Sequence, residues 1–159
     1  MPTVVAKITK GAVFSGIVNA TDVDIDSTPD SDHLASGLTI TLTANENQAF
    51  GDVCYIDSDG QAHLADADAI ASGIVCVMCA DATISADASG DYLLHGIARD
   101  DTWTWTVGGL VYLSLTGTTG NTLTQTRPSA TDDCIVILGV ATHADRMYFN
   151  PQLVIVEHT

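Results

Sequence analysis

At 159 residues, of which 46% are hydrophobic and 16% charged, the chain can bury about 70% of its unfolded surface and is too apolar for disorder along its length. A formal charge of -15, from 20 acidic residues against five basic ones, repels phosphate backbones and anionic lipid surfaces, which excludes an ordinary nucleic-acid binder or cationic membrane-surface protein. All the acids but Glu46 and Glu157 are Asp, the acid that bonds its own nearby backbone in turns, and Gly- and Thr-rich breaks separate short apolar runs: the composition is all-β.

The first 20 residues hold two short apolar runs, Thr3 to Ile8 and Ala12 to Val18, broken by Lys10, Gly11 and Gly16, and read as an arm or edge strand. No basic stretch followed by an apolar core marks a secretory signal, and no run is long enough to span a bilayer. The expectation is folding in reducing cytoplasm, where Cys54, Cys76, Cys79 and Cys134 stay unpaired. Residues 21 to 33 carry Asp22, Asp24, Asp26, Asp30 and Asp32. The D-x-D-x-D spacing opens like a calcium loop, but Ser27 stands where that loop needs Gly and His33 where it needs the closing Glu. The simpler expectation is a strand with Val23 and Ile25 inward and Asp24 and Asp26 in water, turned by Pro29.

Leu38 to Thr43 alternates apolar residues with Thr and predicts a strand. Gly51 to Ile56 leads a second into the turn Asp57 to Gly60, from which Gln61 to Leu64 returns. Asp66 to Ser72 is one helical turn or a loop, ended by Gly73 before the apolar run Ile74 to Ala80. In Asp91 to Leu115, Thr102, Thr104 and Thr106 alternate with Trp103, Trp105 and Val107, a period of two that predicts a half-buried strand. Gly108-Gly109 then predicts a hairpin into Leu110 to Leu115, with Trp103, Trp105 and Tyr112 at the core or a subunit interface. Asn121 to Thr126, Cys134 to Ala141, Arg146 to Phe149 and Leu153 to Glu157 complete the strands.

An internal echo runs through this order. Gly51, Val53, Tyr55, Ile56 and Gly60 recur as Gly108, Leu110, Tyr112, Leu113 and Gly117, and Ile74 to Ala80 recurs as Ile135 to Ala141. The reading is one all-β domain over residues 21 to 159, a small barrel or sandwich of short antiparallel strands made of two similar units, preceded by the N-terminal arm.

No catalytic, cofactor or metal constellation is expected. Cys76 and Cys79 sit three apart on a predicted strand, facing opposite sides, with Ile137 and Val140 at the echoed positions. His33, His63, His95, His143 and His158 form no i, i+4 pair, and a lone strand histidine such as His95 reads as a hydrogen-bonded structural group. Asp100 and Asp101 precede the predicted tryptophan strand on opposite faces, with Arg99 beside them as a surface charge partner. Neither Gly-x-Ser-x-Gly nor a phosphate-cradling Gly-Lys-Ser occurs, so an enzyme is not expected.

Residues 47 to 157 resemble a recurrent β-module of tailed-phage virion proteins. The resemblance rests on Gly51 to Gly60 (G-D-V-x-Y-x-D-x-D-G), Leu94 to Ser114 with its double tryptophan and Gly-Gly, Thr124 to Pro128, Gly139 to Ala141, and Tyr148 to Pro151. It implies a capsid decoration (cement) protein: a homotrimer on the outer capsid surface of the virion, made in the host cytoplasm, that clamps the major capsid protein and stabilises the shell. It implies no nucleic-acid or membrane partner and no cofactor. The gripping arm in this reading is Thr3, Val4, Val5, Lys7, Ile8 and Lys10, whose lysines stand out on an acidic chain and whose run suits strand addition to a capsid sheet edge. The alternative within the resemblance is a tail- or head-fibre module that binds the host surface.

Overall fold

Two long strands, β1 (Leu34–Thr43) and β7 (Ser89–Arg99), pair antiparallel along their whole length and form the ribbon on which the other elements hang. The computed structural model describes residues 28–159, and these are all-β, with no helix among them. The remaining strands are β2 (Gln48–Ala49), β3 (Val53–Ile56), β4 (Ala62–Leu64), β5 (Val77–Cys79), β6 (Thr83–Ile84), β8 (Leu110–Leu113), β9 (Leu123–Thr124), β10 (Cys134–Ile135), β11 (Ile137–His143), β12 (Arg146–Phe149) and β13 (Val156–Glu157). The main sheet runs β4-β3-β5-β7-β12-β11-β8-β9, with β1 on the other edge of β7, and curls into a half-barrel. Small pairs β2-β6 and β10-β13 stand apart from it.

The strand order makes the sequence echo structural. β3 lies between β4 and β5, as β8 lies between β9 and β11, and both branches end on β7. Gly51 and Gly108, each two residues before its strand, have φ of +83° and +79°, the left-handed region that glycine enters without steric cost. The two branches share one edge of β7, β5 pairing with Tyr92 and Leu93 and β12 with Gly96 to Arg99. Leu94 is the extra residue at the bulge opposite Leu38 and Thr39, which bends the strand between its two partners. At the bend Gly37 and Gly96 face each other so closely that a Cβ on Gly96 would overlap the Ser36 carbonyl oxygen and lie 2.8 Å from Gly37 Cα.

One face of the sheet holds the main core, including Val53, Met78, Leu93, Ala98, Val111, Leu113, Leu138, Met147 and Phe149. The opposite face carries a second cluster around Cys54, Val77, Cys79 and Tyr92, closed over by Ile84 and Ala88 from the segment before β7. Buried polar links run through it: the Tyr92 hydroxyl donates to Gln48 Oε1 at 2.6 Å, and Gln48 Nε2 donates to the Ala62 carbonyl at 2.8 Å.

Several local expectations are corrected. Residues 102 to 107 form no strand and Gly108-Gly109 closes no hairpin. The main chain there is held by single bonds, from Trp105 N–H to the Ala144 carbonyl and from Thr106 N–H to Gln125 Oε1, while β8 takes β9 and β11 as partners. The alternation survives only in part and without a ladder: Trp103 and Trp105 are half-buried against the main core and Thr102, Thr104 and Thr106 are exposed, but Val107, expected on the tryptophan face, is 61% exposed. Asp100 and Asp101 therefore follow a strand instead of preceding one. β1 starts at Leu34, before the expected Leu38, and Leu38 and Ile40 are exposed. Cys76 lies just outside β5 and packs against the same cluster as Cys79, so strand alternation does not separate the two.

All four thiols are free, and burial pushes Cys54 well above the ordinary thiol range, Cys79 up to about 12 and Cys134 upward as well. Iodoacetamide at pH 8 is therefore expected to label the native chain chiefly at half-exposed Cys76, and to label all four after denaturation without reductant, as read by mass spectrometry. Fewer than four labels on the denatured chain would contradict the free-thiol assignment.

Candidate functional site

The connection from β7 to β8 folds back over the turn that precedes β1 and the loop between β2 and β3, leaving a cleft of about 400 Å³ bounded by His33, Phe50, Asp52, Asp100, Trp103 and Trp105. Its aromatic wall is continuous: ring centroids lie 5.4 Å apart for His33 and Phe50, 6.3 Å for Phe50 and Trp103, and 5.4 Å for Trp103 and Trp105. The Trp103 indole lies over Gly51, where a Cβ would come within 2.8 Å of Cζ2. Glycine there serves both the positive φ and the ring packing.

Three side chains at one end of the cleft tie the turn before β1 to the end of β7. Asp32 Oδ1 accepts from Asp101 N–H at 2.8 Å and His33 N–H at 3.0 Å. The Asp101 bond is the main reason the Asp32 carboxyl sits below its ordinary range. Asp100, only 7% exposed, accepts at Oδ1 from the Thr102 N–H (2.8 Å) and hydroxyl (2.6 Å), and its Oδ2 stands 3.5 Å from His33 Nε2. His33 has φ of +51°, a conformation costly for a residue with a Cβ, and its other ring nitrogen is 3.8 Å from Asp32.

The metal-ligating atoms of Asp32, His33 and Asp100 lie within 4.8 Å of one another. By their shortest contacts the two carboxylates address different ring nitrogens, Asp32 at Nδ1 and Asp100 at Nε2, while one atom from each of the three residues stays close enough to share a cation. The arrangement is an imidazole clamped between two acids. It does not activate a nucleophile. The order is hydroxyl, carboxylate, imidazole, whereas a relay needs the imidazole in the middle to take the hydroxyl proton.

Asp52, at the floor, is fully buried and joins the two echoed units. It accepts from Ala49 N–H at 2.8 Å, from Gly120 N–H at 2.8 and 2.9 Å, and from the Thr122 hydroxyl at 3.2 Å. Thr122 Oγ1 in turn accepts from Val53 N–H at 2.9 Å. Burial pushes the Asp52 carboxyl above its ordinary range, partly offset by these donors.

Of the residues singled out from sequence, Trp103 and Trp105 line this cleft, while Tyr112 is half-buried on the opposite side of the sheet from Val111 and Leu113. His95 is hydrogen-bonded as expected, its Nε2 2.5 Å from the Tyr148 hydroxyl, and Arg99 pairs with Asp101 at 2.7 Å. The arm Thr3, Val4, Val5, Lys7, Ile8 and Lys10, and the acids Asp22, Asp24 and Asp26, lie outside the described residues. Sequence reasoning missed His33, Phe50 and Asp52 as cleft residues. One signal was available for Asp52: the echo places it opposite Gly109, so a carboxylate appears where the second unit has no side chain. No family model matches the sequence, and no curated protein matches it.

Proposed function

We propose that this chain is a capsid decoration protein of a tailed phage, a non-enzymatic homotrimer that binds the major capsid protein on the outer face of the shell. The observation that carries the reading is β1. It is ten residues long, contains no charge and no proline, and among the described residues is paired along one edge only. Leu34, Leu38 and Ile40 on it are exposed, Leu38 by 61%. Sheet proteins ordinarily blunt such an edge with charge, proline or a bulge that turns it away, because it recruits other strands. An uncharged strand with Leu38 and Ile40 exposed suits a protein that works by joining others. Main-chain bonds to an added strand stabilise the contact by about 1 kcal/mol each, and threefold repetition multiplies their effect by avidity.

The test is sedimentation of purified chain with capsids of the encoding phage that lack it. Wild type is expected to be trimeric in solution and to co-sediment; Ile40→Lys, at an exposed edge position, should keep the fold and trimer while binding drops at least about tenfold, the effect of about 1.4 kcal/mol per contact. Unchanged binding by the variant would remove β1 from the contact. The aromatic cleft favours a second reading, a fibre module whose ring wall and carboxylates hold a small cationic or polar group of the host surface. Adhesion to host cells with no binding to capsids would put that reading first.

A further inference from the structure

The cleft walled by the tryptophans holds acids and, among the described residues that line it, no Lys or Arg. Asp52, fully buried at the floor, accepts only from neutral donors, the Ala49 and Gly120 N–H groups and the Thr122 hydroxyl. When ionised it therefore meets no cation of its own. The two carboxylates that flank His33 are each half engaged. Asp32 and Asp100 take their backbone and hydroxyl donors at Oδ1. Oδ2 of each receives no hydrogen bond from a described residue and stands 3.8 and 3.5 Å, respectively, from a ring nitrogen of His33.

We infer that this cleft receives the side chain of a lysine from a partner protein, its methylene stem against the rings of Phe50, Trp103 and Trp105 and its ammonium at Asp100 Oδ2. A lysine is apolar along its stem and charged at its tip, as the cleft is ring-walled along its length and acidic at one end. Phe50 and Trp103 are tilted by 34° and Trp103 and Trp105 by 47°, so neighbouring rings do not make the single flat platform on which a planar ligand would stack. An arginine fork is matched best by two acceptor oxygens of one carboxylate, and Asp100 has only Oδ2 to offer, which suits the point charge of an ammonium. An uncharged group would leave that oxygen and the acidic floor without a counterpart. The net charge of -15 steers the chain toward a basic partner surface in the first place. The inference rests on the cleft being a binding site, as in the second reading above, and names the group that it takes.

Both tryptophans of the chain line the cleft, so its intrinsic fluorescence reports on this site. Titration of the full chain with n-butylammonium chloride, against sodium chloride at equal ionic strength, is expected to shift the emission saturably. The uncharged n-butanol and the guanidinium n-propylguanidinium should each bind at least about fivefold more weakly. Asp100→Asn keeps an acceptor for Thr102 and removes the charge; with its thermal midpoint recorded as a check of folding, it should weaken n-butylammonium by about tenfold. Equal binding of n-butanol to the wild-type chain would make the site merely apolar. Tighter binding of n-propylguanidinium would assign it to arginine, and a response to manganese(II) with none to n-butylammonium would assign the acids to a metal ion. Each of these, or unchanged binding by a folded Asp100→Asn, overturns the inference. Adhesion to host cells is scored separately: adhesion by a chain that ignores n-butylammonium would keep the fibre reading and sink this one, whereas ammonium binding without adhesion supports this one alone.

Discussion

Gly96→Ala is expected to cost about 3 kcal/mol or more, and to lower the melting temperature by roughly 6–12 °C for a domain of this size. The added Cβ meets backbone, the Ser36 carbonyl and Gly37 Cα, and backbone cannot rotate away as a flexible side chain does. Relief requires β1 and β7 to separate at their bend, which loosens the ribbon that carries both branches of the sheet. Gly37→Ala places the same obstruction on the other strand, against the His95 carbonyl, and should match it. By contrast Gly60→Ala has open space around its Cβ and carries only the cost of φ +78°, about 1 kcal/mol. Thermal unfolding of the three variants checks the ranking. Equal losses at Gly96 and Gly60 would show that the close approach is not what matters.

Asp52→Ala should be nearly as damaging, about 3 kcal/mol at neutral pH, because it strands the Ala49 and Gly120 N–H groups and the Thr122 hydroxyl inside the protein. Asp52→Asn keeps the shape and one acceptor but turns an amide N–H₂ toward existing donors, with an expected loss of about 1–2 kcal/mol. The pH dependence has a definite sign. Since the native carboxyl holds its proton more tightly than the unfolded one, this group's contribution falls as pH rises from its ordinary 3.8 through the raised native value, and is constant above. Asp32, Asp59 and Asp145 are shifted down, and their contributions run the other way, lost as pH falls below the ordinary range. Urea titrations from pH 3 to 7 should therefore show the wild-type curve rising less steeply with pH than that of Asp52→Asn. Parallel curves would mean that Asp52 is not desolvated.

What the sequence disclosed and what it withheld divide along a physical line. Val53 to Ile56 and Leu110 to Leu113 were legible as strands because they are short β-rich runs set between glycine-bearing turns, and the repeated Gly two residues earlier marked them as counterparts. Thr102 to Val107 alternates in sequence yet makes no ladder. There alternation reports which way Trp103 and Trp105 face, though not the exposed Val107, and a peptide held by Ala144 and the Gln125 amide turns the two rings inward as well as a strand does. β1 shows the reverse case, a true strand whose apolar residues do not all point inward. The cleft was half legible. Its tryptophans were conspicuous, but His33 reaches Asp100 only because β1 runs the full length of β7, a pairing across the sequence that no local pattern encodes.

That pairing also has a consequence during synthesis. Thr41 meets Asp91, 50 residues later, so an uncharged strand leaves the ribosome long before its partner exists. At about 5–20 residues per second the wait is roughly 3–10 s, during which β1 is sticky and unsheltered among other nascent chains. That interval is when misassembly between neighbouring nascent chains competes with folding, and a chaperone that shields residues 34–43 would raise the yield of folded chain without altering the stability of the finished molecule.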